Sequence, residues 1–471
     1  MKRVISAPGQ LNWAKKVGAV FVLCITIAAA LPAQTFTTLA KFNQTDGANP
    51  FFGALVQGLD GNFYGTTEWG GSDTSCTAFR VTGCGTVFKM TPAGKLTSLH
   101  SFVMTDGINP YGGLVLATDR NFYGTTYAGG ANGLGTIFKM TAEGALTTLY
   151  NFAGTDGANP IASLIQAADG DLYGTTSEGG TASAGTIFKI SLAGTLTSLY
   201  SFCSGGSCST DGAIPYGALV QAATGTFYGT TIGGGEHGEG AVFSLSPSGT
   251  YALLLSFDLP DGDSPYGGLI QAANGKFYGT TTTGGVNFEG NVFDVTAGGR
   301  LTNVHSFGGQ GGNSPYAGLV QGTDGNFYGA TIGLIYEMTP AGKEIVLQGL
   351  NSDNGREAYA AMVQGIDGIF YGTTAYGGVG HGTIYSVSVG LGPFLKTLPA
   401  SGKVATSVAV MGTDLTGATS VSFNGIPAAF TVSATGTAIS TTVPTGATTG
   451  TVQVITPSGA LSSNVPFRVL P

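Results

Sequence analysis

An all-β fold is predicted for this chain of 471 residues. Its 80 glycines occur together with 42% hydrophobic residues, a combination typical of many short strands joined by tight turns. One stretch, Asn-Phe-Tyr-Gly-Thr-Thr at residues 62–67, returns in seven similar copies. The tyrosines of these copies are Tyr64, Tyr123, Tyr173, Tyr228, Tyr278, Tyr328 and Tyr371. A motif that recurs about every 50 residues indicates a repeat architecture.

One full repeat, residues 106–155, contains four apolar runs separated by turn residues. These runs are residues 113–116, 121–126, 135–140 and 146–150. An Asp-Gly or Asn-Gly pair often separates the first two runs, as at Asp60-Gly61, and such a pair is typical of a β-hairpin. The second run is rich in aromatic residues and threonine, which favour strands. Each repeat is therefore predicted to be a four-stranded antiparallel meander.

The two ends of the repeat region favour a closed ring. The seventh repeat stops after its third predicted strand, residues 382–387, and no fourth strand follows. The region begins with a fourth strand that has no preceding partner, residues 35–42. A ring gains from this offset, because the first strand completes the last sheet and removes exposed edges. An open solenoid, the alternative, gains nothing from it. The sequence therefore predicts a seven-bladed β-propeller over residues 34–390.

Three motifs in each repeat carry a resemblance to a known family. In repeat 2 they are Asn109-Pro110-Tyr111-Gly112-Gly113-Leu114-Val115, Asn121-Phe122-Tyr123-Gly124-Thr125-Thr126 and Gly135-Thr136-Ile137-Phe138-Lys139-Met140. These motifs resemble the GloVer tandem repeat, named for Gloeobacter and Verrucomicrobia, and the resemblance covers residues 35–390. It implies an exported, propeller-like protein and brings no assigned activity or catalytic residue. The pair Gly129-Gly130 is also similar to kelch repeats, but the tryptophan of kelch repeats is missing.

The tail, residues 391–471, lacks the repeat motif. It shows short alternating strands, such as residues 407–411 and 452–455, and a segment of this length suits a small β-sandwich. The tail resembles an IPT/TIG immunoglobulin-like domain through residues 399–402, 410–412, 421–425 and 443–444 and through Phe467. In exported bacterial proteins this resemblance implies a spacer or an adhesion module.

Residues 1–33 are predicted to be a signal peptide. Four basic residues, Lys2, Arg3, Lys15 and Lys16, precede an apolar run at residues 17–30, and Ala33 or Ala30 offers a cleavage site. A membrane anchor is the alternative, but a spanning helix needs about 20 apolar residues and this run is shorter. We therefore expect an extracytoplasmic protein (secreted, at the cell surface or periplasmic) with no stable membrane span after cleavage.

Removal of residues 1–33 changes the formal net charge from −8 to −12, because this segment holds four basic and no acidic residues. An acidic chain is a poor candidate for nucleic-acid binding, since that affinity rests on Lys and Arg contacts with phosphate. Solubility by itself accounts for the acidity. We expect a monomer that has no nucleic-acid partner.

Four cysteines remain after cleavage, and each pair lies in an insertion relative to the other repeats. In an exported chain an even number of cysteines indicates disulfides, so we predict the bonds Cys76–Cys84 and Cys203–Cys208. A metal site is the alternative. It would need ligands from segments that are far apart in the sequence, and the chain has only 4 histidines.

An aromatic residue is predicted to open the first strand in six of the seven repeats. These candidate ligand-binding residues are Phe51, Tyr111, Tyr216, Tyr266, Tyr316 and Tyr359. The third repeat has Ile161 at this position. At the mouth of a propeller such rings could stack on a sugar or on a protein side chain. Packing between blades is the alternative interpretation.

Two further series of repeated polar residues are expected to be structural. The first contains Asp46, Asp106, Asp156, Asp211, Asp261, Gly311 and Asn354. A ring of carboxylates could bind cations, but Asp before Gly caps its own turn and a seven-fold repetition favours that role. The second series, expected to hydrogen-bond between blades, contains Gln57, Gln166, Gln221, Gln271, Gln321 and Gln364.

Unrepeated loop residues are better candidates for function. They are Glu68, Trp69, Asp73, Glu178, Glu236, His237, Glu239, Glu289, Tyr376 and His381. The sequence has no nucleophile elbow, zinc-protease helix or phosphate-binding loop, so no catalytic residue, metal or cofactor is predicted. Two functions remain open. One is an exported non-catalytic binding or adhesion protein for a glycan or an extracellular protein, which the lack of a catalytic motif favours. The other is an extracytoplasmic glycan-active hydrolase or lyase that uses loop carboxylates.

Overall fold

A computed structural model gives the structure of residues 34–78, 81–309 and 312–470. Within these ranges every regular element is a β-strand, so the prediction of an all-β protein is confirmed. No helix in these ranges is long and apolar enough to cross a membrane. The predicted signal peptide lies outside the described residues.

Strand β1 (Thr35–Lys41) comes first and pairs with the end of the repeat region. Repeats 1 to 3 follow it. Repeat 1 contains β2 (Val56–Gln57), β3 (Phe63–Thr67), β4 (Thr77–Ala78), β5 (Val81–Thr82), β6 (Thr86–Met90) and β7 (Leu96–Ser101). Repeat 2 contains β8 (Val115–Leu116), β9 (Phe122–Thr126), β10 (Thr136–Met140) and β11 (Leu146–Asn151). Repeat 3 contains β12 (Ile165–Gln166), β13 (Leu172–Thr176), β14 (Thr186–Ile190) and β15 (Leu196–Ser201).

Repeats 4 to 7 have the same order. Repeat 4 contains β16 (Gly212–Ala213), β17 (Val220–Gln221), β18 (Phe227–Thr231), β19 (Gly233–Gly234), β20 (Ala241–Leu245) and β21 (Tyr251–Ser256). Repeat 5 contains β22 (Ile270–Gln271), β23 (Phe277–Thr281), β24 (Asn291–Val295) and β25 (Leu301–Ser306). Repeat 6 contains β26 (Val320–Gln321), β27 (Phe327–Ala330), β28 (Leu334–Met338) and β29 (Glu344–Gly349). Repeat 7 contains β30 (Val363–Gln364), β31 (Phe370–Thr374) and β32 (Thr383–Ser388).

Each repeat forms one four-stranded antiparallel sheet, of the kind that builds propeller blades. In repeat 7 the fourth place is taken by β1, which pairs antiparallel with β32 from Thr35 opposite Ser388 to Lys41 opposite Thr383. The predicted role of the first strand is therefore observed. The short pairs β4–β5 and β16–β19 lie outside these sheets, within connections of repeat 1 and repeat 4.

The first strands are shorter than expected. In repeat 2 the predicted run of residues 113–116 contributes only Val115–Leu116 to its sheet. The backbone N–H of Gly113 instead donates to Oγ of Ser163 in the next repeat at 2.8 Å. A Cβ on Gly113 would lie 2.5 Å from the carbonyl oxygen of Ala54 in repeat 1, so only glycine permits this close approach. The residues just before the first strand therefore contact the neighbouring repeats instead of extending the sheet.

The motif tyrosines link neighbouring repeats. The ring of Tyr64 lies 4.2 Å from that of Phe122 in the next repeat, and the ring of Tyr173 lies 4.2 Å from that of Phe227. The series returns to its start, because the ring of Tyr371 in repeat 7 lies 4.1 Å from that of Phe63 in repeat 1. Such offset aromatic pairs add about 0.5–1.5 kcal/mol each beyond their buried area.

The glutamine series also joins neighbouring repeats. The side-chain oxygen of Gln166 accepts a hydrogen bond from the backbone N–H of Thr118 in the preceding repeat at 2.9 Å. Across the seam between repeats 7 and 1, Gln57 accepts one from the N–H of Ile366 at 3.0 Å. These contacts agree with the bracing expected from the sequence. In repeat 2 the equivalent residue is Leu116, which is buried.

Two kinds of connection lie at the same end of the sheets, because the strands are antiparallel. One joins the second to the third strand, and the other joins the fourth strand to the next repeat. They are held together by backbone bridges such as Ala48 with Trp69 and Ile108 with Ala128. We call this end the mouth face, and the end with the remaining turns the tail face. In repeat 6 the connection between the second and third strands is only residues 331–333, against residues 282–290 in repeat 5.

The described part of the tail contains ten strands, of which eight form two principal sheets and two, β34 and β42, form a separate parallel pair. They are β33 (Lys396–Leu398), β34 (Ser401–Gly402), β35 (Ser407–Met411), β36 (Ser420–Phe423), β37 (Ile426–Ala428), β38 (Phe430–Val432), β39 (Ala438–Thr442), β40 (Val452–Thr456), β41 (Gly459–Ser462) and β42 (Arg468–Val469). The sheet orders are β33-β35-β39-β38 and β37-β36-β40-β41. A buried apolar cluster that includes Val410, Phe423 and Ile439 provides a core of its own.

The tail contacts the tail face of the repeat region. The backbone N–H of Phe394 donates to the carbonyl oxygen of Ile366 at 3.0 Å, and the Thr437 hydroxyl donates to that of Leu59 at 2.8 Å. Nζ of Lys396 donates to the carbonyl oxygen of Gln364. The turns of repeats 1 and 7 therefore carry contacts to the tail.

Candidate functional site

The mouth face brings together the six aromatic residues singled out in the sequence. Tyr216 and Tyr266 have ring centroids 5.1 Å apart, and Tyr266 and Tyr316 have centroids 4.9 Å apart. The series continues from Tyr316 to Tyr359 at 5.0 Å, from Tyr359 to Phe51 at 4.5 Å and from Phe51 to Tyr111 at 5.8 Å. All six rings are half-buried. They lie a few residues before the first strands rather than on them, and we call this group the aromatic mouth.

Phe52 occupies the centre of the aromatic mouth. Its ring centroid lies 5.9 Å from that of Tyr216, 6.3 Å from that of Tyr266 and 6.1 Å from that of Tyr359. The sequence analysis did not single out Phe52, although a comparison of the repeats distinguishes it. At the same position the other repeats have only glycine or alanine: Gly112, Ala162, Gly217, Gly267, Ala317 and Ala360. One large side chain among six small ones therefore makes the mouth asymmetric.

A cavity of about 180 Å³ lies beside Phe52. Its lining includes Tyr216, Tyr266, Tyr316 and Tyr359. Among the described residues, the hydroxyls of Tyr216, Tyr266 and Tyr316 make no hydrogen bond, whereas that of Tyr359 donates to Glu357 at 2.7 Å. The cavity is thus lined by aromatic side chains, three of which have hydroxyls without a hydrogen-bond partner among the described residues.

Carboxylates lie at the edge of the aromatic mouth. The Tyr111 hydroxyl donates to Oε1 of Glu68 at 2.8 Å. Burial raises the pKa of Glu68 above its usual value, although the Tyr111 hydrogen bond acts in the opposite direction. Burial, together with the charge of Glu68, raises the pKa of Tyr111 as well. Glu68 and Glu357 therefore fix the orientation of two rings and bring negative charge to the site.

The mouth face carries most of the acidic residues of the repeat region. Its connections contain fifteen Asp and Glu residues and two arginines, Arg80 and Arg356. The acidic residues are Asp46, Glu68, Asp73, Asp106, Asp156, Glu178, Asp211, Glu236, Glu239, Asp258, Asp261, Asp263, Glu289, Asp353 and Glu357. The sequence by itself suggested acidity for general solubility. The strand directions instead collect the net charge on one face, which favours cationic over anionic partners.

The repeated aspartates act as turn caps and do not form a cation site. Asp46 accepts a hydrogen bond from the backbone N–H of Asn43, and Asp106 accepts one from that of Val103, both at 2.9 Å. Asn354 takes the same role in repeat 7. In repeat 5 the cap is Asp258, which accepts from the N–H of Asp261 at 3.0 Å. Gly311 lies outside the described residues.

Both predicted disulfides are present, Cys76–Cys84 and Cys203–Cys208. The alternative of a metal site at these cysteines is therefore wrong. Among the described residues, no group of three or more His, Cys, Asp or Glu side chains is arranged to hold a metal ion. His237 and His381 both lie on mouth-face connections and belong to no such group.

Solved structures that resemble this chain differ strongly from it in sequence. A fungal alcohol oxidase of the AA5 family, solved in complex with copper, is 12% identical, with 90% of this chain and 98% of that chain covered and a TM-score of 0.51. This likeness shows a shared fold alone. The extracellular domain assigned to a one-component system of B. thetaiotaomicron is 13% identical, with a TM-score of 0.48. That match covers 93% of this chain and 58% of the other. A gluconolactonase from Xanthomonas campestris is 12% identical, with 58% of this chain and 91% of that chain covered and a TM-score of 0.37.

Sequence comparison gives a more specific result. No curated protein matches the chain. The family model described as the Gloeobacter/Verrucomicrobia repeat matches residues 14–220 and 206–333. These residues make up more than half of the chain and contain all three motifs of repeats 1 to 5 and the first two motifs of repeat 6. The chain therefore belongs to the Gloeobacter/Verrucomicrobia repeat family.

Proposed function

We propose that this chain is an exported, non-catalytic binding protein that holds its ligand at the aromatic mouth. The observation that carries the proposal is the convergence of five aromatic side chains from five repeats around one small cavity, with Phe51 and Tyr111 packed beside them. Aromatic rings exposed at a concave site are a usual means of binding sugars and protein side chains.

The size of the cavity limits what enters it. Ligand pockets usually measure about 300–1,000 Å³, so a cavity of about 180 Å³ holds one small group of a larger ligand. A terminal sugar ring meets this requirement, because it offers hydroxyls to Tyr216, Tyr266 and Tyr316 and a flat face to Phe52. Each aromatic contact contributes about 1 kcal/mol, so a micromolar Kd, about −8 kcal/mol, requires several contacts across the mouth.

We also propose the architecture that presents this site. The seven sheets would form a closed seven-bladed propeller over residues 34–390, and residues 391–471 would form an IPT/TIG immunoglobulin-like domain. The tail would act as a spacer or adhesion module on the face opposite the mouth. An extracytoplasmic monomer is proposed, and the two disulfides and the lack of a membrane-spanning helix in the described residues are compatible with it.

The test is a glycan-array screen of the full exported chain, followed by Tyr216→Ala, Tyr266→Ala and Tyr316→Ala, singly and together. We expect each single change to weaken binding roughly fivefold, consistent with about 1 kcal/mol per aromatic contact. The combined change should abolish binding. A matched control is Tyr200→Phe, since Tyr200 bonds Asp211 away from the cavity. Binding that survives the triple change but is lost on substitution in the tail would show that the repeat region is only a spacer.

The alternative, a glycan-active hydrolase or lyase, has one observation in its favour. A carboxyl group with a raised pKa, such as that of Glu68, is what a general acid requires. Release of reducing sugar from an array ligand, lost in Glu68→Gln, would support this alternative and contradict the non-catalytic proposal.

A further inference from the structure

The connections of repeat 5 expose large apolar side chains on the mouth face. Val286 is 79% exposed, Phe288 is 68% exposed and Leu259 is 45% exposed. The backbone N–H of Gly285 donates to the carbonyl oxygen of Leu259 at 2.8 Å, so the two connections that carry these residues adjoin. We call Leu259, Val286 and Phe288 the rim patch. Single exposed apolar residues are common, but a group of three on adjoining segments indicates an interaction site.

The backbone conformation at Phe288 is unfavourable for phenylalanine, so the stability of the fold does not account for an exposed phenylalanine at this position. Its φ is 60°, in the left-handed region where a non-glycine residue costs about 1–2 kcal/mol. The equivalent residues in repeats 2 and 4 are Gly133 and Gly238, which adopt this conformation without steric cost, while repeat 3 has Ser183 in the same conformation. Phe288 therefore costs stability at this position, and its exposed ring recovers little of that cost within the chain. Such residues persist at functional sites.

Acidic side chains surround the rim patch. Asp258 and Asp261 flank Leu259, and Glu289 follows Phe288. The preceding repeat adds Glu239, whose carbonyl oxygen accepts from the backbone N–H of Ser264 at 3.0 Å, beside Asp263. The connections of repeat 5 contain no lysine or arginine. Charge complementarity therefore favours a cationic occupant and disfavours nucleic acid and anionic lipid.

We propose that the rim patch is a docking surface for a segment of a partner protein in which an apolar side chain lies between lysine or arginine residues. The apolar side chain contacts Phe288 and Val286, and the basic residues pair with the surrounding carboxylates. A neutral glycan supplies neither aliphatic side chains nor positive charge. Leu259, Val286 and Phe288 are not among the residues that line the cavity of the aromatic mouth, so this interaction does not depend on the ligand proposed there.

The test selects peptides from a phage-display library of random sequences against the full exported chain. We expect the enriched peptides to carry lysine or arginine on both sides of an apolar residue. Phe288→Gly should weaken their binding about tenfold, as an exposed aromatic anchor does at other interfaces. Its melting temperature should stay the same or rise, because glycine relieves the left-handed backbone. Val286→Thr is a second variant. Threonine occupies the equivalent position of repeat 3, Thr181, so this change requires no change of backbone conformation.

Two controls separate this surface from others. Val346→Thr changes a residue that is 48% exposed on the outer strand of repeat 6 and should leave peptide binding unchanged. The combined change of Tyr216, Tyr266 and Tyr316 to alanine should also leave peptide binding unchanged. The two proposals can therefore fail independently of each other. The inference is wrong if no peptide is enriched, if enriched peptides lack basic residues, or if they bind Phe288→Gly as tightly as the parent. It is also wrong if sedimentation shows a dimer of the parent chain that Phe288→Gly dissociates, since the occupant is then a second copy.

Discussion

At the scale of single residues, the motif tyrosine combines two functions in one side chain. Its ring packs on the next repeat, and its hydroxyl reaches back to the turn between the first two strands. The Tyr123 hydroxyl donates to Asp119 at 2.7 Å, and the Tyr371 hydroxyl donates to Asp367 at 2.7 Å. Burial, followed by the bond to Asp119, raises the pKa of Tyr123 to about 12. Five of the seven motif tyrosines, those of repeats 1, 2, 3, 6 and 7, donate to an aspartate of this turn.

Removal of this hydroxyl tests its contribution. Tyr123→Phe should lower the free energy of unfolding by about 1–2 kcal/mol, because a bond to a carboxylate is lost. The matched control is Tyr228→Phe, since among the described residues the Tyr228 hydroxyl has no carboxylate partner and a change below about 0.5 kcal/mol is expected. Urea unfolding of the full chain measures both. Equal losses in the two variants would contradict the assigned role.

The hydrogen bond between Tyr123 and Asp119 predicts that its contribution to the free energy of unfolding depends on pH. Burial by itself raises the pKa of Asp119, but hydrogen bonds from Lys139, Tyr123 and Asn121 outweigh it and hold the pKa below its usual value. A carboxyl group with a lowered folded pKa stabilises above its unfolded pKa, about 3.9, and loses that contribution as the pH falls further. The stability difference between Tyr123→Phe and the parent chain should therefore narrow below about pH 4.

At the scale of elements, β1 supplies the fourth strand of the sheet of repeat 7. Phe36 stacks on Tyr385 with ring centroids 5.5 Å apart, and Phe42 is fully buried against repeats 1 and 7. Without β1, one edge of β32 would expose unpaired backbone groups, which promote aggregation. The strand therefore completes the sheet of repeat 7.

Deletion of residues 35–42 should lower the melting temperature and cause concentration-dependent aggregation, because β32 loses its partner. Light scattering and a thermal melt measure both effects. A synthetic peptide of residues 34–42 added in trans should restore solubility by pairing with β32, whereas a scrambled peptide should not. A deletion variant that stays monomeric with an unchanged melting temperature would contradict the closed ring.

At the scale of the whole molecule, the two faces of the repeat region have different surroundings. The mouth face carries the aromatic mouth, the rim patch and most of the acidic residues, while the tail contacts the opposite face. Lys396 lies between the two parts of the chain and donates to the carbonyl oxygen of Gln364. Burial lowers the pKa of Lys396 to about 8, although the nearby Asp367 acts in the opposite direction.

The lowered pKa of Lys396 predicts that the stability of the folded chain rises with pH. Its folded pKa is about 8 and its unfolded pKa is about 10.4, so between these values the unfolded chain binds more protons. The free energy of unfolding should therefore increase from about pH 8 to pH 10, by at most about 1.4 kcal/mol per pH unit. Lys396→Met should remove this increase, and Lys343→Met on an exposed turn should preserve it. A parent chain whose urea midpoint is constant from pH 8 to pH 10 would contradict the prediction.

Much of the fold could be read from the sequence because its determinants are local. Strand bounds in repeat 2 agree within one or two residues for the second, third and fourth strands. Because each pair of cysteines lies within a single connection, 8 and 5 residues apart, local pairing was the simplest prediction, and it is observed. The first strands were predicted too long, because Gly113 bonds to the neighbouring repeat, and strand propensity contains no information about that partner.

The sequence by itself determined the repeat, most of the strands, the pairing of β1 with the last repeat and the six aromatic residues that recur at one position of the repeat. Each of these follows from a pattern within one repeat or from a comparison between repeats. Only the tertiary structure decided that Phe52 occupies the centre of the mouth and that the acidic residues gather on the same face. The physical reason is that both features depend on strand direction and on contacts between residues many positions apart, such as Phe52 with Tyr216 and Tyr266.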